Sequence, residues 1–349
     1  MQRWITPDPS GFADGANLYA YVLNNPVNRL DLFGLESSFF GDFFGRNRTE
    51  IYIPTTWKMP GLQTFLVKGL MNGIRADFVI SCGHFHQLQF TPEELKAGRA
   101  NLLDHLQDLM PKEGNQFALV SVGNGISTSE KEFKEMNHEV SQEHRGLSIS
   151  LYNKSNIENW FLKLFMASIS RNIIGSILDV DRTFKEQAGI RTKSVKVTEQ
   201  FFTLISDKIL KINQDALWLH IAHSENGVIT KRAIENLGPD KREIFKKMIY
   251  VFALGPAIPI SEEHVASAEN IYSFRDFVTL PILFLLKDKD IAGCNIKVVP
   301  CISGAKDRNF FIADHKFLSP TYRGQWTDKI KKLDESFGFY GGEYHDQTR

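Results

Sequence analysis

Leu217-Trp218-Leu219-His220-Ile221-Ala222-His223-Ser224-Glu225-Asn226-Gly227 is the stretch on which the reading of this chain turns. An apolar run of the length of a buried strand leads into a serine set among small or turn-prone residues, and a helical pattern follows. A strand that turns sharply into a helix lifts the serine Oγ out of a sheet. The same turn aims the first N–H groups of the helix at a bound oxygen. The stretch predicts a nucleophile elbow and, with it, serine-hydrolase chemistry.

Downstream, Ile249 to Leu254 reads as a second buried strand, and Glu269 to Phe274 as a third that runs into Arg275-Asp276-Phe277-Val278. Asn295 to Cys301 reads as a fourth, followed by a loop with Asp314-His315-Lys316-Phe317-Leu318-Ser319-Pro320. Ser224, Asp276 and His315 thus come in that chain order, each just past the end of a predicted strand. This is the order of α/β-hydrolases and of neither chymotrypsin-like nor subtilisin-like enzymes. His315 would take the Ser224 proton and return it to the leaving group, while Asp276 would fix the imidazole tautomer. Asp314 is the rival acid, disfavoured because sequence neighbours rarely bond in the required geometry.

Upstream, strands are expected at Thr49 to Thr56 and Ala76 to Cys82, a helix or turn pair at Pro60 to Ile74, and an amphipathic helix at Thr91 to Met110. A regular alternation follows: strands at Phe117 to Gly123 and Gly146 to Tyr152, helices at Thr128 to Val140, Ile157 to Leu178 and Val195 to Ile212. Alternating strands and helices imply a mostly parallel sheet flanked by helices. Ester hydrolysis also needs donors for the tetrahedral oxyanion, each worth about 3 to 4 kcal/mol. One is expected at the N–H of Glu225 and another in the turn after Phe117 to Val122, at Gly125 and Ile126.

Composition permits this. The chain has 349 residues, 42 % of them hydrophobic, enough for a hydrolase domain of about 250 to 300 residues with appendages. Its 41 basic and 41 acidic residues balance, so no basic field argues for nucleic acid. Cys82, Cys294 and Cys301 lack disulfide-framework or metal spacing. With no secretory signal at Met1-Gln2-Arg3-Trp4, they suggest synthesis in the cytoplasm and, for an effector, export by a specialised route. No stretch reaches the length of a spanning helix. Trp160 to Ile169 reads as amphipathic, either packed on the sheet or touching a membrane surface. His84 and His86 alone do not make a metal site, and the triad chemistry implies no metal or cofactor.

Residues 1–35 differ in character. Arg3-Trp4-Ile5-Thr6-Pro7-Asp8-Pro9-Ser10-Gly11, Gly15-Ala16-Asn17-Leu18-Tyr19-Ala20-Tyr21, Asn24-Asn25-Pro26 and Asp31-Leu32-Phe33-Gly34-Leu35 alternate turn signals with short aromatic strands. They resemble the end of the core of RHS (YD-repeat) proteins, whose β-shell encloses a variable C-terminal toxin. The resemblance implies that Asp8 and Asp31 match the self-cleavage aspartates and Leu35 the residue before the cut. Leu32 replaces the usual proline, and no shell precedes the segment here. The division implied is 1–35 and 36–349, the second part being an effector domain directed at a host or competitor cell.

Asn124-Gly125-Ile126, Leu151-Tyr152-Asn153, Ala222-His223-Ser224, Ser273 to Val278 and Asp314 to Tyr322 resemble a lipase-like α/β-hydrolase domain of chlamydial and RHS-associated effector proteins. That resemblance implies an acyl-ester or lipid substrate. The family elbow is of HSQG type; here Glu225 replaces the glutamine and Asn226 the glycine, with Gly227 one place later. Asn226 puts a side chain where strand and helix pass closely, and is expected to strain the elbow. Two function classes follow: a serine esterase, or an inactive hydrolase fold that serves as a binding module.

Overall fold

The computed structural model describes residues 52–54, 63–71, 74–82, 91–125, 128–153, 191–286, 291–301 and 315–340. In chain order the elements are β1 (Tyr52–Pro54), β2 (Gln63–Met71), β3 (Ile74–Cys82), α1 (Pro92–Ala97), β4 (Arg99–Asn101), α2 (Leu106–Leu109), β5 (Phe117–Gly123), α3 (Glu130–His144) and β6 (Ser148–Tyr152). They continue with α4 (Lys193–Ile212), β7 (Leu217–His223), α5 (Glu225–Glu235), α6 (Pro239–Met248), β8 (Ile249–Leu254), β9 (Ser267–Ser273), α7 (Leu280–Leu285), β10 (Asn295–Val299) and α8 (Pro320–Phe337).

Eight strands form one sheet in the order β2-β3-β6-β5-β7-β8-β9-β10. The run from β6 to β10 is parallel throughout, and β3 lies antiparallel to both of its neighbours. Counted from β2, the order is one, two, four, three, five, six, seven, eight with the second strand reversed. This is the α/β-hydrolase fold. β1 and β4 pair separately.

The central strands explain themselves. β5 and β7 are buried along their whole length, as their near-continuous apolar sequences require of parallel strands covered on both faces. Alternate β7 residues face opposite layers. Trp218 packs with Phe201 and Phe202 of α4 and Phe245 of α6. Leu217, Leu219 and Ile221 share a core with Phe133 and Val140 of α3 and with Trp326 and Ile330 of α8. The chain leaves β5 toward β6 on one side and comes back to β7 on the other, so these adjacent strands flank a topological switch point. In open α/β sheets the crevice beyond the strand ends at such a point is where ligands bind.

Two expectations are corrected. Residues 63–71, placed in a helix or turn pair, form β2. Leu62, Phe65, Leu66 and Leu70 fit helical spacing, but pairing of all nine residues with β3, from Gln63↔Cys82 to Met71↔Ile74, decides otherwise. The intervening Asn72-Gly73 dipeptide is the strongest short hairpin signal. The single helix expected over 91–110 is broken into α1, β4 and α2. It starts as expected, with reciprocal Thr91 and Glu94 bonds, but Gly98 takes φ 69° and ends it as a left-handed glycine does. Residues 1–35, His84, His86, Ile126, Asp314 and the helix expected over 157–178 lie outside the described residues.

Candidate active site

Ser224 is the first residue after β7, and it has φ 54° and ψ −120°. A non-glycine residue at positive φ is strained by about 1 to 3 kcal/mol, and the elbow holds it there from both sides. Its N–H donates to the Leu254 carbonyl at 3.0 Å, and its own carbonyl accepts from Gly227 N at 3.0 Å and Ala257 N at 3.2 Å. A Cβ on Gly227 would stand 2.4 Å from Pro256 Cβ. The close approach that the elbow needs is therefore made at Gly227, one place later than in a G-x-S-x-G pattern.

Ser224, Asp276 and His315, predicted from the elbow and from their order past strand ends, are brought together. His315 Nε2 lies 2.8 Å from Ser224 Oγ, and His315 Nδ1 lies 2.8 Å from Asp276 Oδ2. A carboxylate only accepts, so Nδ1 carries the proton and Nε2 is the acceptor of the serine hydroxyl. Asp276 is fully buried, and Ser224 nearly so.

Five donors converge on Asp276. Oδ1 accepts from the N–H groups of Val278 and Thr279, both at 3.0 Å; Oδ2 accepts from Thr279 Oγ1 at 2.8 Å, Tyr322 Oη at 2.5 Å and His315. Burial alone would raise this carboxyl, but the His315 charge and hydrogen bond, with those of Tyr322 and Thr279, hold it well below the usual carboxylate range. Burial and the Asp276 charge push the Tyr322 phenol well above its ordinary value, so it is a donor at any working pH. Gly255, at φ 50°, makes room: a Cβ there would come within 2.6 Å of both Asp276 Oδ2 and Tyr322 Oη.

The turn after β5 lies against Ser224. A Cβ on Gly125 would stand 2.7 Å from Ser224 Cβ and 2.9 Å from His223 Nδ1. Buried Asn124 fixes this turn, donating to the Gly125 and Asn153 carbonyls at 3.1 and 2.8 Å and accepting from Asn153 N at 2.8 Å. The Glu225 N–H, first of α5, sits directly after Ser224.

His223, read as packing, also reaches across the site. Its Nε2–H donates to the His315 carbonyl at 2.6 Å, and its ring lies 5.1 Å from that of His315. Burial, then the neighbouring His315, lowers its pKa to about 3, so it is a neutral tie between the elbow and the histidine loop. Among the described residues no group of three His, Cys, Asp or Glu is placed to hold a metal, and no helix is long and apolar enough to cross a membrane.

No family model matches the sequence, and no curated protein does. Solved structures do resemble it. A serine hydrolase without a lid from Xanthomonas campestris has 8 % identity, over 81 % of this chain and 96 % of that one, with a TM-score of 0.35. A thermostable esterase from Pseudomonas putida has 7 % identity over 79 % and 83 %, with a TM-score of 0.42. An esterase from Pyrobaculum calidifontis has 9 % identity over 79 % and 87 %, with a TM-score of 0.43. The fold assignment stands on strand order and the elbow, independently of these likenesses.

Sequence reading gave no role to Tyr322, Thr279 or Asn124, although Asn124 and Tyr322 lie in the stretches that carry the resemblance. Thr279 had a local signal, since an aspartate three residues before a threonine is a pattern for side-chain capping of the following turn. Helix α8, which carries Tyr322, was announced by Ser319-Pro320: Ser319 Oγ accepts from Tyr322 N, with proline at the first helical position. The pairing of Tyr322 with Asp276, 46 residues apart, had no signal in the chain.

Proposed function

We propose that this chain is a serine esterase that cleaves an acyl ester through Ser224, His315 and Asp276. The observation that carries this reading is the unbroken hydrogen-bonded run from Ser224 Oγ to the Asp276 carboxylate at a strained elbow. Ser224 Oγ attacks the acyl carbon as its proton passes to His315 Nε2, and the carbonyl π electrons move onto oxygen. The Glu225 N–H and the turn at Gly125 and Ile126 receive that oxyanion. Collapse expels the alcohol, which takes the proton from His315 and leaves an acyl-serine. A water then repeats both steps, returning Ser224 and releasing the acid. Asp276 keeps the imidazole in the tautomer that can accept.

Phe274 and Phe284, 69 % and 78 % exposed, put apolar surface on and beside the acid loop, as contact with a lipid substrate or a membrane surface would favour. The resemblance of residues 1–35 to an RHS core adds the proposal that 36–349 is an effector domain acting on an ester of a host or competitor cell. Hydrolysis of a panel of p-nitrophenyl esters, compared between the native chain and Ser224→Ala, tests the activity. Loss in the variant supports it, and equal turnover in both removes it.

A further inference from the structure

Asn226 was expected to crowd the elbow; its surroundings show how it is accommodated. A Cβ built on Gly123, the last residue of β5, would fall 1.7 Å from Asn226 Oδ1 and 2.0 Å from Asn226 Cγ. The carboxamide occupies the volume that a side chain at 123 would fill. It is not free to swing aside. His220 Nε2 lies 3.2 Å from Asn226 Oδ1, Thr230 Oγ1 donates to the same oxygen at 3.0 Å, and Asn226 is 4 % exposed.

The bonds behind it have one consistent direction. Trp218 Nε1, which can only donate, gives its proton to Ser121 Oγ at 2.8 Å. The Ser121 hydroxyl then donates to His220 Nδ1 at 2.7 Å. This assigns the tautomer with the proton on Nε2, pointing at Asn226 Oδ1 and at Thr230 Oγ1, 3.0 Å away. Burial lowers the His220 pKa to about 4, so the ring stays neutral and the chain of donors is not reversed near neutral pH. The network joins β5, β7 and α5, the three elements that deliver the Gly125 turn, Ser224 and the Glu225 N–H.

We propose that Gly123 and Asn226 form a matched volume pair, braced by His220, Ser121 and Thr230, that sets the spacing between the oxyanion turn and the elbow. Both are positioning residues, and the role rests on the esterase reading above. Gly227 makes the close approach to Pro256, and Gly123 on β5 supplies the room that the side chain two places after the serine takes up.

A reciprocal exchange in the full chain tests this: Gly123→Ala, Asn226→Gly and the double variant, each measured for unfolding free energy and for the rate at which a fluorophosphonate labels Ser224. Gly123→Ala should label about a hundredfold slower, the cost of a misplacement near 1 Å. Asn226→Gly should label about tenfold slower. The double variant, with the volume moved to the other partner, should recover to within about tenfold of the native rate. If Gly123→Ala does not fold, a folded double variant is the same rescue. Equal labelling of the folded protein in all four forms overturns the positioning role, as does a double variant no better than Gly123→Ala alone. A native chain that is never labelled overturns the esterase reading and the positioning role with it, whereas the coupling in the unfolding cycle still reports whether the two residues are a volume pair.

Discussion

The two halves of the candidate site are held by different physics. Ser224 is placed by backbone and volume: it sits at φ 54°, clamped by main-chain bonds to Leu254, Gly227 and Ala257, with Gly125 and Gly227 at distances that admit no Cβ. Asp276 is placed by converging donors, three from side chains and two from the main chain, that meet on one buried carboxylate. The elbow should therefore fail when volume is added. The acid side should fail when a donor is removed without any change of shape.

The largest effect tests whether the halves act as one machine. Ser224→Ala, His315→Ala and Asp276→Asn should each lower kcat by about 10⁴ or more, and the double variants should be hardly worse than the singles, because triad members act as a unit. Additive losses would mean that the halves work separately. Next, Gly125→Ala adds a methyl whose carbon would lie 2.7 Å from Ser224 Cβ, and kcat should drop about a hundredfold. A near-native rate would show that the elbow side tolerates volume after all.

On the acid side, Tyr322→Phe keeps the buried ring and deletes one donor to Asp276. Charge-assisted bonds of this kind are worth about 1.5 to 3 kcal/mol, so kcat/KM should fall about tenfold. A folded Tyr322→Phe variant with native kcat/KM would reduce Tyr322 to a packing residue.

The smallest effect on activity, but a clear one on stability, separates the halves by pH. His220 and His223, on the elbow side, and His144 are buried neutral, with values lowered by burial from 6.5 to about 4, about 3 and about 3. Below pH 6.5 the unfolded chain binds protons that the folded one refuses. The stability these groups contribute is thus present above 6.5 and lost as pH falls toward 4, at up to about 1.4 kcal/mol per pH unit per histidine. Asp276, whose carboxyl is lowered from 3.8, adds its loss only below that value. Chemical unfolding from pH 8 to 3 should be flat at first, then slope downward below 6.5. A slope starting only near pH 4 would contradict the assignment of the neutral histidines.

What the sequence made legible follows the same division. Parallel strands buried on both faces are written as apolar runs, so Phe117–Gly123 and Ile249–Leu254 could be read to the residue. The elbow follows from one of them. Asp276 and His315 were legible through chain order at strand ends. Residues 63–71 were misread because their apolar spacing fits two periods and pairing between strands chooses, and 91–110 because Gly98, inside the apolar pattern, ends the helix. Contacts such as Tyr322 with Asp276, or Gly123 with Asn226, join residues whose separate identities say nothing of the partner. Asn226 read in isolation is a lesion. Read beside Gly123, it is a filler.

The most direct test of the account is mass-spectrometric mapping of a fluorophosphonate adduct on the folded chain, with Ser224→Ala as the control. A single adduct is expected on the peptide that contains Ser224, absent from the variant. A folded native chain that carries no adduct, or an adduct that survives in Ser224→Ala, would contradict it.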